Sequence, residues 1–67
     1  MNEYKVEFSY LTIGNRRITE IDVGCAWRLN DRVEDLRAWY AGLPGWRVER
    51  VYIDNNGEWE VCKNWEY

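Results

Sequence analysis

The chain has 67 residues, of which 46% are hydrophobic, with twelve acidic residues, nine basic residues and no histidine. A chain of this length is expected to form one small domain, residues 1–67, whose core must offset about 1.5 kcal/mol of conformational entropy per residue. Five Trp, five Tyr and one Phe are the obvious material for that core. The formal charge of -3 argues against non-specific attraction to nucleic acid or to an anionic membrane and favours a basic partner.

The residue types predict neither an active site nor a metal site. The absence of histidine removes the commonest metal ligand and the commonest general base. Cys25 and Cys62 are too few for a disulfide framework and too distant in sequence for a metal-binding pair. We therefore expect no enzyme activity, no catalytic residue, no cofactor and no metal. The segment MNEYKVEF lacks the pattern of a signal peptide, so the expected location is the cytoplasm.

The first third of the chain predicts a β-hairpin. EYKVEFSYLTI alternates apolar and polar residues, which is typical of a strand with one buried face. Gly14-Asn15 favours a two-residue type II′ turn, with Ile13 paired to Arg16. The register continued outward places Thr19, Ile21, Val23 and Cys25 opposite Tyr10, Phe8, Val6 and Tyr4. Both strands then present an apolar set on one side, and a one-residue slip would destroy this agreement.

The middle of the chain changes to helical spacing. Its apolar stripe consists of Val33, Leu36, Tyr40 and Leu43, widened by Trp39. This spacing predicts one helix. Asn30 or Asp31 is the expected N-cap, and the predicted stop signals are Gly42, Pro44 and Gly45.

The last third, WRVERVYIDNNGEWEVCKNWEY, predicts a second hairpin with a type I′ turn at Asn56-Gly57. The register pairs Trp46, Val48, Tyr52 and Asp54 with Tyr67, Trp65, Val61 and Trp59. This aromatic side, which also carries Arg50 and Lys63, is predicted to lie under the helix. The fold class is therefore α+β, with order β-β-α-β-β: two hairpins in a four-stranded antiparallel sheet and one helix packed on one face.

The face left over by these registers carries most of the acids and few of the bases. Its predicted partner-binding acids are Glu7, Glu20, Asp22, Glu49, Glu58 and Glu60. Its predicted apolar contacts are Leu11, Ile18, Val51 and Ile53. The register also opposes Glu7 to Asp22, a like-charge pair that costs stability. The face is thus either simply solvated or an electrostatic surface for a basic protein partner.

In its size, its acidity and its lack of catalytic residues, the chain resembles the small acidic single-domain proteins that bacteriophages encode to block host machines. These include anti-CRISPR proteins, some of which imitate the charge of DNA. The resemblance implies an inhibitor, in the host cytoplasm, that occupies a basic nucleic-acid-binding surface of a larger protein or nucleoprotein complex. Direct binding to nucleic acid or to a membrane is not expected. The alternative is a structural or regulatory homo-oligomer joined through sheet faces or edges, so monomer and homodimer both remain open.

Overall fold

A computed structural model describes residues 2–63 of the chain. The elements follow the order β1 (Glu3–Leu11), β2 (Arg17–Cys25), a 3-10 turn (Ala26–Arg28), α1 (Leu29–Trp39), β3 (Arg47–Asn55) and β4 (Glu58–Val61). The four strands form one antiparallel sheet in the spatial order β2-β1-β3-β4. The predicted α+β class and the β-β-α-β-β order are confirmed. Within the sheet, β1 lies between β2 and β3.

The core lies between α1 and one face of the sheet. Its buried apolar residues are Tyr4, Val6, Phe8, Leu29, Val33, Leu36, Val48 and Val51. Tyr40 and Trp46 pack against this core, with ring centres 5.2 and 6.3 Å from that of Phe8. The expectation that the aromatic rings form the core is only partly right, because Trp27 and Trp39 are 75% and 72% exposed.

The turn of the first hairpin differs from the predicted type II′ turn. Asn15, at φ 62°, is the residue in the left-handed region, and its N–H donates to the Thr12 carbonyl at 2.9 Å. The Thr12 N–H donates to the Arg16 carbonyl at 2.8 Å, so residues 13–15 form a three-residue loop. Loops of this length combine a type I turn with a left-handed residue, and Asn tolerates that conformation.

This extra loop residue shifts the register of β2 by one position, and the predicted register is wrong. The observed pairs include Tyr4–Gly24, Val6–Asp22, Phe8–Glu20 and Tyr10–Ile18. Because side chains alternate across a sheet, a one-residue shift moves every β2 side chain to the other face. Ile18, Glu20 and Asp22 therefore lie on the side of α1, and Ile21 and Val23 lie on the opposite side.

A β-bulge in β3 produces a second reversal. Glu7 pairs with Arg50 but Phe8 pairs with Val48, so Glu49 is an extra residue that opposes no single partner. Beyond the bulge, Val51 and Ile53 turn toward the core, and Arg50 and Tyr52 turn away from it. The predicted sides of these four residues are therefore wrong, whereas Val48 lies on its predicted side.

The second hairpin has the predicted pairing and the predicted turn. Tyr52 pairs with Val61 and Asp54 with Trp59, and Asn56 and Gly57 have φ of 55° and 87°, as a type I′ turn requires. Because the bulge precedes it, the aromatic side of this hairpin faces away from α1 rather than toward it. The predicted pairs Trp46–Tyr67 and Val48–Trp65 involve residues 65 and 67, which lie outside the described residues.

The helix begins earlier than predicted. Its N-cap is Arg28, the last residue of the 3-10 turn. Asn30 and Asp31, the predicted caps, lie inside the first turn instead. The helix ends at Trp39, ahead of the predicted Gly and Pro signals, and Gly45 has the positive φ, 71°, that suits a chain reversal.

Both cysteines are free thiols, each on the side opposite to the predicted one. Cys25 pairs with Glu3 and shares its outward face, and Cys62 packs against the core, where burial raises the pKa of its thiol. The two residues also belong to opposite edges of the sheet. The two thiols thus lie on opposite sides of the sheet and are not linked.

The two hairpin glycines make a matched test of the turns. Gly57→Ala should lower the free energy of unfolding by about 1–2 kcal/mol, because a side chain is disfavoured at positive φ. Gly14→Ala should be neutral or slightly stabilising, since Gly14 does not hold the left-handed position and the nearest atom to an added Cβ is 3.8 Å away. Urea denaturation of both variants measures this difference. Equal effects would show that the turn types are misassigned.

Candidate functional site

The face of the sheet that α1 leaves uncovered is called here the open face. The strand registers assign to it Glu3, Lys5, Glu7, Ser9, Leu11, Arg17, Thr19, Ile21, Val23, Cys25, Arg47, Glu49, Arg50, Tyr52, Asp54, Trp59 and Val61. No described helix covers this face. Its chemistry is therefore the first guide to function.

The structure divides the predicted partner-binding residues between the two sides of the sheet. Glu7 and Leu11 lie on the open face, and Glu49 bonds there to Ser9 and Arg47. The other predicted residues lie on the side of α1: Ile18, Glu20, Asp22, Val51, Ile53, Glu58 and Glu60. Val51 is a core residue, 1% exposed. The prediction that these residues share one face is wrong because both the loop and the bulge reverse side-chain directions.

The open face is not acidic. Its acids are Glu3, Glu7, Glu49 and Asp54, and its bases are Lys5, Arg17, Arg47 and Arg50. The two sets balance, so the face as a whole exerts no long-range attraction on a partner of either sign. The predicted rows of carboxylates are absent from it, since Glu20 with Asp22 and Glu58 with Glu60 lie on the other side.

The open face instead displays apolar side chains that the predicted registers place on the side of the helix. Ile21 is 59% exposed, Val23 51%, Val61 46% and Trp59 40%. The first two lie on β2 and the last two on β4, at opposite edges of the sheet. Each pair is a small exposed apolar patch at one edge of the open face, and such patches can contact other proteins.

The centre of the open face is aromatic and carries a cation. The Lys5 Nζ lies 4.5 Å from the centre of the Tyr52 ring and 4.9 Å from that of Trp59. Hydrogen bonding to Tyr52, together with the charge of Glu7, raises the pKa of Arg50. The Lys5 ammonium group therefore makes cation–π contacts with both rings and links β1 to β3 and β4 on this face.

A polar network holds one end of the open face. Arg17 Nη1 donates to Ser9 Oγ at 2.6 Å, and Ser9 Oγ donates to Glu49 Oε1 at 3.0 Å. Arg47 Nε also donates to Glu49 Oε1. Hydrogen bonds from Arg47 and Ser9 hold the pKa of the Glu49 carboxyl below its ordinary value. Since Glu49 is the bulge residue, this network holds the position in β3 at which the side-chain directions reverse.

The acids on the side of α1 have structural partners. Asp22 accepts hydrogen bonds from Tyr4 Oη at 2.6 Å and from Arg32 Nε and Nη2 at 3.1 and 3.3 Å. Burial and the bond to Asp22 raise the pKa of Tyr4, and the same carboxylate raises that of Arg32. Glu20 accepts from Tyr40 Oη at 3.1 Å. Asp22 thus joins β2, β1 and α1 through charge-assisted hydrogen bonds.

No family model, curated protein or solved structure matches this chain. Within residues 2–63 no group of three or more Cys, Asp and Glu residues could hold a metal ion. No helix in the same range is long and apolar enough to cross a membrane.

Asp22→Asn tests the structural role that the observed register gives to this acid. The change should lower the free energy of unfolding by roughly 1–3 kcal/mol, because Arg32 loses its partner and Tyr4 keeps a weaker acceptor. Asp35→Asn, a change of the same kind on the exposed side of α1, should alter stability by less than about 0.5 kcal/mol. Chemical denaturation gives both values. Equal stabilities would mean that Asp22 faces solvent, as the register with Ile13 opposite Arg16 would have it.

Glu49→Gln tests the network at the bulge through its pH dependence. The folded pKa of Glu49 lies below the ordinary 4.5, so the ionised form stabilises the fold above that pH, and the contribution is lost as pH falls through the folded pKa. The variant should therefore be less stable than wild type by about 0.5–1 kcal/mol at neutral pH. The difference should vanish in acid. Urea denaturation at about pH 7, 5 and 3 measures it.

Arg47→Gln is the companion variant, because Arg47 is the largest cause of the lowered pKa. It should lose part of the same pH-dependent difference. A constant offset between wild type and Glu49→Gln at every pH would contradict the network.

Proposed function

We propose that the protein is a small non-enzymatic binding module that docks a larger protein through its open face. The observation that supports this proposal is the exposure of Ile21, Val23, Trp59 and Val61 together on the one face that α1 leaves uncovered. The fold does not need these side chains there, because its core forms on the other side. Exposing them carries a risk of aggregation, which a partner's apolar surface would remove.

The acidic residues at one end of the sheet indicate what charge the partner should carry. Near Trp59, the open face carries Glu3 and Asp54, and the reverse side of the same hairpin carries Glu58 and Glu60. This group of four acids is called here the acidic end. A partner that combines an apolar patch with neighbouring basic side chains matches both features: the apolar contact supplies affinity and the charge speeds association.

An inhibitory role follows when the basic surface of that partner normally binds nucleic acid. The chain would then block access to it, as the phage-encoded inhibitors that it resembles do, in the cytoplasm where its two thiols stay reduced. The proposal does not include imitation of DNA by rows of carboxylates on the open face, since that face has balanced charge. A recess of about 340 Å³ between β2 and the start of α1 is a weaker candidate site, because its acid, Asp22, is already bonded to Tyr4 and Arg32.

Two tryptophan variants test the proposed surface. Trp59→Ala removes an aromatic side chain from the open face, and Trp39→Ala removes one from the exposed side of α1. Proteins of the source cells are captured on immobilised wild type and on each variant, and a captured protein is then purified and titrated with all three. Trp59→Ala should weaken binding about tenfold or more, as expected for a buried anchor at an interface. Trp39→Ala should bind as wild type does.

The acidic end has its own matched pair of variants. Glu58→Gln with Glu60→Gln should slow association and flatten its dependence on salt. Glu34→Gln with Asp35→Asn, which removes the same charge from α1, should leave the association rate nearly unchanged. Loss of binding in the helix variants, with full binding by Trp59→Ala, would overturn the open face as the docking surface.

A further inference from the structure

The outer edge of β2 is a long strand edge with no partner in the described part of the chain. β2 has nine residues and pairs only with β1, since it stands first in the sheet order. The edge strand on the other side, β4, has four residues. An edge of this length presents a row of free backbone donors and acceptors, and such a row is a template for another strand.

The hydrogen-bond pattern of the first hairpin shows which β2 residues have backbone N–H and C=O groups that point away from β1. The Thr12 N–H donates to the Arg16 carbonyl and the Ala26 N–H donates to the Asn2 carbonyl, so the even-numbered residues of the second strand bond toward β1. In an antiparallel ladder the intervening residues point their backbone groups the other way. Thr19, Ile21 and Val23 therefore direct their N–H and C=O groups outward, and none of them takes part in the additional backbone bonds of residues 2–63.

Several of the usual protections of a sheet edge are missing from β2. Its sequence, RITEIDVGC, has no proline and no lysine, and its pairing with β1 runs without a bulge. The carboxylates of its two acids lie on the side of α1, where Tyr40 binds Glu20, and Tyr4 and Arg32 bind Asp22. Two of the residues whose backbone groups point outward are Ile21 and Val23. Their side chains are also the two most exposed aliphatic side chains of the strand.

The distribution of charge favours a second copy of the chain as the occupant. Opposite the acidic end, where β2 begins, lie the bases Arg16, Arg17, Arg37 and Arg47, and Arg37 and Arg47 line one recess with Trp46 and Val48. In an antiparallel pair of β2 strands centred on Ile21, Arg17 of each copy lies opposite Cys25 of the other, close to Glu3, which pairs with Cys25. In a parallel pair Arg17 would lie close to Arg17 of the other copy, so these charges favour the antiparallel arrangement.

We propose that two copies of the chain associate through antiparallel pairing of their β2 edges, which joins the two sheets into one. The two-fold axis is perpendicular to the sheet, as a self-complementary interface requires. Both helices then lie on one side and both open faces on the other. Ile21 and Val23 of each copy lie side by side across the junction, where β-branched cross-strand neighbours stabilise the pairing. The dimer goes beyond the proposed function: a monomeric chain could still dock a partner, so the two proposals fail separately.

Analytical ultracentrifugation from about 10 µM to about 1 mM tests the association, because the population of a dimer rises with concentration by mass action. The expected mass is twice the 8.2 kDa of one chain. Amide hydrogen exchange identifies the interface: Thr19, Ile21 and Val23 should exchange at least about tenfold more slowly at the high concentration. The even-numbered amides of β2, already bonded to β1, should change little.

Two pairs of variants separate edge pairing from other contacts. Thr19→Pro removes one outward N–H, which an edge strand tolerates, and Thr19→Ala keeps it. Ile21→Lys places a charge on the β2 edge, and Val61→Lys makes the same change on the same face at β4. The dimer should weaken at least about tenfold in Thr19→Pro and Ile21→Lys and persist in the other two. Wild type that stays monomeric throughout, a dimer whose Thr19, Ile21 and Val23 amides exchange as fast as in the monomer, or full dimerisation of Ile21→Lys would overturn the proposal.

Discussion

The three-residue loop between β1 and β2 is the constraint on which the arrangement of this molecule depends. Asn15 accepts the left-handed conformation, and the loop therefore closes between Thr12 and Arg16. That single offset sends Asp22 and Glu20 toward α1 and Ile21 and Val23 away from it. With a two-residue loop, the apolar residues of β2 would enlarge the core and its acids would face solvent. The same sequence would then have a bigger core and a charged, inert outer face.

The observed register costs apolar burial and gains polar connections. β2 contributes no residue to the set of buried apolar side chains. In return, Asp22 ties Tyr4 and Arg32 together, and Glu20 holds Tyr40. Charge-assisted bonds of this kind constrain direction more than they add stability. They orient α1 over the sheet, while the apolar residues of β2 stay available on the open face.

The sequence is sufficient to predict the elements of the fold, their order and the second hairpin, because each depends on local signals. The alternation in β1, the helical spacing of Val33 and Leu36, and the Asn56-Gly57 turn all act within a few residues. Local signals do not determine which face of the sheet each side chain occupies. That face depends on the exact loop length at Gly14-Asn15 and on the bulge at Glu49, and both compete with an apolar pattern that favours another answer.

The candidate site was missed for the same reason. Ile21, Val23, Trp59 and Val61 are the residues that an apolar pattern places inside, so the two reversals moved them out together and moved Val51 and Ile53 in. The one sequence signal for the bulge is the polar pair Glu49-Arg50 between Val48 and Val51, which breaks the alternation of β3. In the structure that pair has separate partners: Glu49 accepts from Arg47 and Ser9, and Arg50 contacts Tyr52.

The net charge of the chain also fails to predict how charge is distributed over its surface. The formal charge of -3 suggested an acidic face, yet the acids and bases of the open face balance. Acidic residues gather at the end near Asn56 and bases at the end near Asn15, so the charge varies along the strands rather than between the two sides of the sheet. Along β2 itself, Arg17 lies at one end and Glu3 of the neighbouring β1 lies at the other. Contact between two β2 edges is therefore favoured in the antiparallel direction, in which these opposite charges lie close together.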